Sequence, residues 1–141
     1  MAEKSRVPWL SIVLTGLLAF VISMAITAAI VAGYAFALAM QAQGAPDPNK
    51  IAAFASRVIP FLGPLVLSFL VIFAARRVVR RAKSPQLWHG ALVGVVAALP
   101  TLMFMRHPGL ADVVGLLLPP ASGLLGAFWA ITHSGRRVEE T

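Results

Sequence analysis

Apolar residues along this chain fall into four long runs bounded by polar, glycine or proline residues, and almost nowhere do they alternate with the period of a half-buried strand. Such a run reads as a helix surrounded by apolar material, because in hydrocarbon a helix satisfies its backbone polar groups within one segment. A bilayer core about 30 Å thick takes roughly 20 apolar residues as helix. The pattern predicts spans at about residues 9–36, 58–79, 87–105 and 110–132. The expected fold is an all-α integral membrane protein, a four-transmembrane-helix bundle forming a single membrane domain over residues 1–141, with short connections and tails. The first run stays apolar from Trp9 to Met40, well beyond the roughly 7 to 15 residues of a signal-peptide core, so it reads as a retained anchor although Lys4 and Arg6 precede it.

Charge decides the expected orientation. With four spans, both termini share a side with the connection between spans two and three. That side carries nine cations, Lys4, Arg6, Arg76, Arg77, Arg80, Arg81, Lys83, Arg136 and Arg137, against Lys50, Arg57 and Arg106 on the other. The positive-inside rule then predicts both termini in the cytoplasm (N-in/C-in), with the bacterial cytoplasmic (inner) membrane as the expected location. Trp9, Trp88 and Trp129 fall at the same predicted cytoplasmic level, where an indole is buried while its N–H stays wet, and Tyr34 falls toward the opposite face.

The cluster has helical spacing. If span two continues past Ala75, Arg76, Arg77, Arg80 and Arg81 share a face about 140° wide with Val78 and Val79 opposite, and Ser84 and Pro85 end the helix just after Lys83. Such a face is expected to rest on anionic headgroups of the bilayer, at about 1 kcal/mol per basic residue. It also complements the negative end of the helix dipole. Contact with an acidic partner or a regulatory lipid is the alternative.

Between helices in lipid, close backbone approach decides where they touch. Small residues recur at fourfold spacing at Ala25, Ala29, Gly33 and Ala37 in span one, at Gly90, Gly94 and Ala98 in span three, and at Ser122, Gly126 and Ala130 in span four. These three stripes are the expected interior seams, with a homo-oligomer interface as their alternative use. Span two, with bulky "LVLSFLVIF" from Leu65 to Phe73, is expected to face lipid or a partner subunit. Prolines are expected to kink span two (Pro60, Pro64), span three (Pro100) and span four (Pro119, Pro120), and the last pair, followed by Ser122 and Gly123, is the candidate helix break.

Composition narrows the chemistry. The chain is 59% hydrophobic and 12% charged, with net charge +7, but its cations sit at the ends of apolar runs rather than on a folded polar face, so no nucleic-acid partner is expected. It has no cysteine, hence no thiolate metal site and no disulfide. The one acidic residue near a span, Asp112 in "RHPGLADVVG", stands where span four begins on the outer side, with Arg106, His107 or Arg57 available to neutralise it. A helix start is the first reading of Asp112, and an outer polar site made of Asp112, Arg106 and His107 the second. His89 and His133 both fall at cytoplasmic span ends, which allows a bis-imidazole site on paper, but nothing else suggests a cofactor pocket and none is expected.

No nucleophile elbow, phosphate-cradling glycine loop, zinc-protease helix or close carboxylate pair occurs, and acid–base catalysis needs partners within hydrogen-bond reach, so an enzyme is not expected. In size and span number the chain is similar to small multidrug transporters, yet their first-span carboxylate has no counterpart here. The expected function is that of a non-catalytic accessory subunit or scaffold of a larger membrane complex, with a small homo-oligomeric transporter or channel as the alternative.

Overall fold

A computed structural model describes residues 9–82, 86–103 and 109–135, which form helices α1 (Trp9–Ala42), α2 (Pro48–Arg81), α3 (Leu87–Leu102) and α4 (Leu110–Gly135). The chain is all-helical over these residues. Helices α1 and α2 and the segment Asp112–His133 of α4 are long and apolar enough to cross a membrane, as in an integral membrane protein, while α3 is a shorter apolar helix of 16 residues. At 1.5 Å per residue, α1 and α2 are each about 51 Å long, α4 about 39 Å and α3 about 24 Å.

The first two helices overrun the predicted spans. α2 begins at Pro48 rather than near residue 58, and α1 continues to Ala42 rather than stopping near residue 36, leaving only residues 43–47 between them. Bilayer thickness limits how much of a helix lipid covers; capping decides where the helix ends. Asp47 accepts a hydrogen bond from the Asn49 N–H at 2.9 Å, and Pro48 occupies a first-turn position where no donor is needed. At the end of α1, Gln43 adopts φ 49° and the Gly44 N–H donates to the Ala39 carbonyl at 3.3 Å, a left-handed exit.

α2 occupies the centre, a reversal of its expected place at the periphery. It packs on all three other helices, whereas α1 and α4 do not approach each other over the described residues. One core cluster joins Ile12, Ala75, Val78 and Val93, and a second joins Ala19, Leu67, Val71 and Ala97, so α1, α2 and α3 meet along both. A third joins Val79 of α2 to Ala127 and Ala130 of α4. The bulky side of α2, Leu65, Phe69 and Phe73, does face outward as the sequence suggested. Its opposite side, Leu67, Ser68, Val71 and Ala75, is narrow enough for three neighbours.

Glycines set the closest approaches. A Cβ at Gly90 would overlap the Gly123 carbonyl, one at Gly94 the backbone of Pro119 and Pro120, and one at Gly126 the Ile72 carbonyl. Ala98 and Ser122 are buried beside them. α4 thus presents one glycine face to α3 and another to α2.

On α1 the seam lies elsewhere than expected. Ala25, Ala29 and Gly33 are exposed, and a Cβ at Gly33 would meet nothing within 4 Å. The packed stripe is Ile12, Gly16, Ala19, Ser23 and Thr27, where a Cβ at Gly16 would stand 2.9 Å from a Val96 methyl. Small hydroxyl residues fit such a seam because they can hydrogen-bond the helix backbone: Ser23 donates to the Gly63 carbonyl at 3.3 Å and Thr27 to the Ser23 carbonyl at 2.9 Å.

The prolines lie inside helices. Pro119 and Pro120 do not interrupt α4, which runs through them to Gly135, so the candidate break at this pair is not formed. Pro119 is fully buried against Gly94, so the close α3 contact fills the space that an opened helix would expose.

Candidate functional site

Two features stand out, at opposite ends of the bundle. The first is where α1 and α3 begin and α2 and α4 end. Trp9 and Trp88 meet edge to face with centroids 6.4 Å apart, and Phe73 meets Trp129 at 6.4 Å, so all three tryptophans share the level of the arginine cluster. Val78 and Val79 turn into the core. Arg76, Arg77, Arg80 and Arg81 turn away from it, lining with Phe73 an open groove of about 440 Å³.

Arg76 differs from the other three. Its guanidinium carbon lies 4.0 Å from the centroid of the Trp129 ring, a cation–π contact, and its Nε is shut off from solvent with no hydrogen-bond acceptor. The described acidic residues, Asp47 and Asp112, both start helices at the far end. Among the described residues, then, no carboxylate offsets the four guanidinium charges.

At the far end, the positions of Gly115 against Pro64 and of Ala19 against Ala97 show that α3 and α4 stop well short of the α1–α2 turn. From about Ala28 to about Ile59, α1 and α2 continue as a pair roughly 20 Å past them at 1.5 Å per residue. Tyr34 stacks on Phe54 within this overhang, centroids 3.9 Å apart. At its base lies a groove of about 720 Å³ bounded by Phe20, Met24, Thr27, Pro60, Thr101 and Asp112, among others. Pro60 has its own carbonyl in this wall without a helical donor, because the residue four positions on is Pro64.

Asp112 is a helix start. The Gly109 N–H donates to its Oδ2 at 2.9 Å, the arrangement in which a third-position carboxylate reaches back to the residue that begins the helix. Asp112→Ala is expected to lower stability by about 0.5–2 kcal/mol, with Asp112→Asn recovering most of the loss, as read by reversible unfolding in micelles. The other members of the expected outer site, Arg106 and His107, lie outside the described residues, as does Lys83 of the arginine cluster.

The two histidines at the arginine end of the bundle have different surroundings. His89 is buried, stacks on Trp88 with centroids 4.3 Å apart, and has an Nδ1 without a partner. His133 is exposed, with its Nδ1 3.2 Å from the Trp129 carbonyl. No group of three or more histidine, cysteine or acidic residues able to hold a metal occurs among the described residues.

Sequence reasoning missed the contact of Phe73 and Trp129 beneath the arginines and the Ser23–Thr27 pair at the groove. Trp129 was legible as an interface residue but not as the partner of Arg76, since α2 and α4 are joined only by tertiary packing. The chain matches no family model, curated protein or solved structure.

Proposed function

We propose that this chain is a non-catalytic accessory subunit or scaffold of a larger integral membrane complex, with all four helices across a bacterial inner membrane and with both termini and the arginine rim in the cytoplasm. The supporting observation is the overhang. Beyond the ends of α3 and α4, the α1–α2 pair carries Ile30, Phe36, Met40 and Ile59 exposed, with no further helix among the described residues to cover them. A 51 Å apolar helix exceeds a 30 Å hydrocarbon core, so tilt or a partner must cover the excess. A partner subunit meets that need and gains van der Waals packing from the Ala25, Ala29 and Gly33 stripe, which lies open on the same helix.

Purification of the tagged chain in mild detergent is expected to co-isolate a defined stoichiometric partner, and Phe36→Ala with Met40→Ala to reduce its yield. A lone monodisperse oligomer would count against the proposal.

A second reading, a small homo-oligomeric transporter or channel, draws support from the groove with Asp112 at its rim. Against it, the groove is chiefly apolar, and its Ser23 and Thr27 hydroxyls are already bonded to backbone carbonyls. If this reading holds, reconstituted vesicles should show a flux that Asp112→Asn changes.

A further inference from the structure

We propose that the groove at the end of α2 is a specific site for one anionic phospholipid, with its phosphate held by Arg76, Arg77 and Arg80 and an acyl chain lying along Phe73 and Phe69. This inference goes beyond the subunit reading and does not depend on it.

The charge argument comes first. Four guanidiniums within six residues repel one another, and no described carboxylate lies at this end of the bundle; Glu3, Glu139 and Glu140 belong to the tails outside the described residues. A phosphate relieves that repulsion, and the planar guanidinium fork matches its oxygens two at a time. Arg76 is already in place: its stacking on Trp129 has removed much of the side-chain freedom that binding would otherwise have to freeze. With Nε cut off from water, its charge is also less solvated than a free arginine's, so an anionic acceptor gains more there than at an open surface.

What lies beneath the arginines selects a lipid. Phe69, Phe73 and Trp129 form a continuous aromatic ladder, with centroids 5.0 Å apart for the first pair and 6.4 Å for the second. Phe69 and Phe73 are exposed on the apolar flank of α2, and Phe73 also lines the arginine groove. The surface passes from cationic to apolar within one turn of α2, as a phospholipid does from phosphate to chain. Inorganic phosphate would satisfy the cations and leave the ladder uncovered, and an acidic peptide would need its own apolar side chain placed at Phe73.

The test uses the full chain in neutral detergent, with native mass spectrometry of added dioleoylphosphatidylglycerol against dioleoylphosphatidylcholine. One phosphatidylglycerol should be retained preferentially. Arg76→Gln with Arg80→Gln should weaken that retention about 30-fold, from two basic contacts. Lys50→Gln with Arg57→Gln, at the other end, should leave it unchanged. The charge-conserving pair Arg76→Lys with Arg80→Lys, which keeps the cations but loses the fork, should fall between, and it remains informative if the glutamine pair misfolds. Phe73→Ala should reduce retention of the lipid while its headgroup analogue glycerophosphoglycerol gains nothing from the phenyl ring. Equal retention of the two lipids, equal loss in both glutamine pairs, or displacement of the lipid by millimolar inorganic phosphate would overturn the proposal, the last by showing a soluble-anion site.

Discussion

Gly94→Leu is expected to separate α3 from α4, and Gly94→Ala alone to cost at least about 1–3 kcal/mol. The Cβ of any residue at position 94 would occupy the space of the Pro119 and Pro120 backbone, and a backbone cannot rotate aside as a flexible side chain can. Pro119 is fully buried, so α4 has no slack at this level. Gly90→Ala should behave alike, since its Cβ would overlap the Gly123 carbonyl. Gly33→Ala supplies the opposite sign. With open space around it, its added methyl removes glycine's excess backbone freedom inside a helix and should stabilise by about 0.5–1 kcal/mol. Reversible unfolding in mixed micelles measures all four variants. A destabilising Gly33→Ala with a neutral Gly94→Ala would mean that the seams run where the α1 stripe alone suggested.

Neutralising the arginine cluster is expected to abolish the single orientation proposed for the protein. Replacing Arg76, Arg77, Arg80, Arg81 and Lys83 by glutamine leaves Lys4, Arg6, Arg136 and Arg137 on one side of the proposed four-span topology against Lys50, Arg57 and Arg106 on the other. Four against three is too small a bias to orient a chain whose apolar segments insert equally well either way. A C-terminal fusion active only in the cytoplasm should be uniformly active on the natural chain and become mixed on the variant, with a periplasmic reporter gaining what it loses. The Arg76→Gln and Arg80→Gln pair used for the lipid test keeps seven cations against three and should keep its orientation, which separates lipid binding from insertion.

The arginine rim was legible early because both of its causes are local. Spacing along one helix places Arg76, Arg77, Arg80 and Arg81 together whatever lies beside them, and Val78 and Val79 must then point the other way. The cation–π contact with Trp129 was not legible, because it depends on which helix packs against α2 and at what height. The α1 seam was half legible. Gly16, Ala19, Ser23 and Thr27 carry the small-residue signal and add two hydroxyls, but the alanine-rich half of the same helix offered a more regular stripe at Ala25, Ala29 and Gly33 that stays exposed among the described residues. A polar small residue inside an apolar run was the better guide, because hydrocarbon gives its hydroxyl no partner and protein backbone does.

By itself the sequence determined that this chain is helical and apolar over most of its length, that Arg76, Arg77, Arg80 and Arg81 share the end of one helix, and that Asp112 begins a helix. These follow from hydrogen bonding within a segment, from solvation of charge and from contacts a few residues apart. Tertiary structure alone decided that α2 is central, that α1 packs through Gly16 to Thr27, that Pro119 and Pro120 sit in a closed contact, and that two helices outrun the other two. Small residues occur on several faces of every helix, and many faces are equally apolar, so composition cannot rank them. Only the simultaneous fit of four backbones at van der Waals distance selects one.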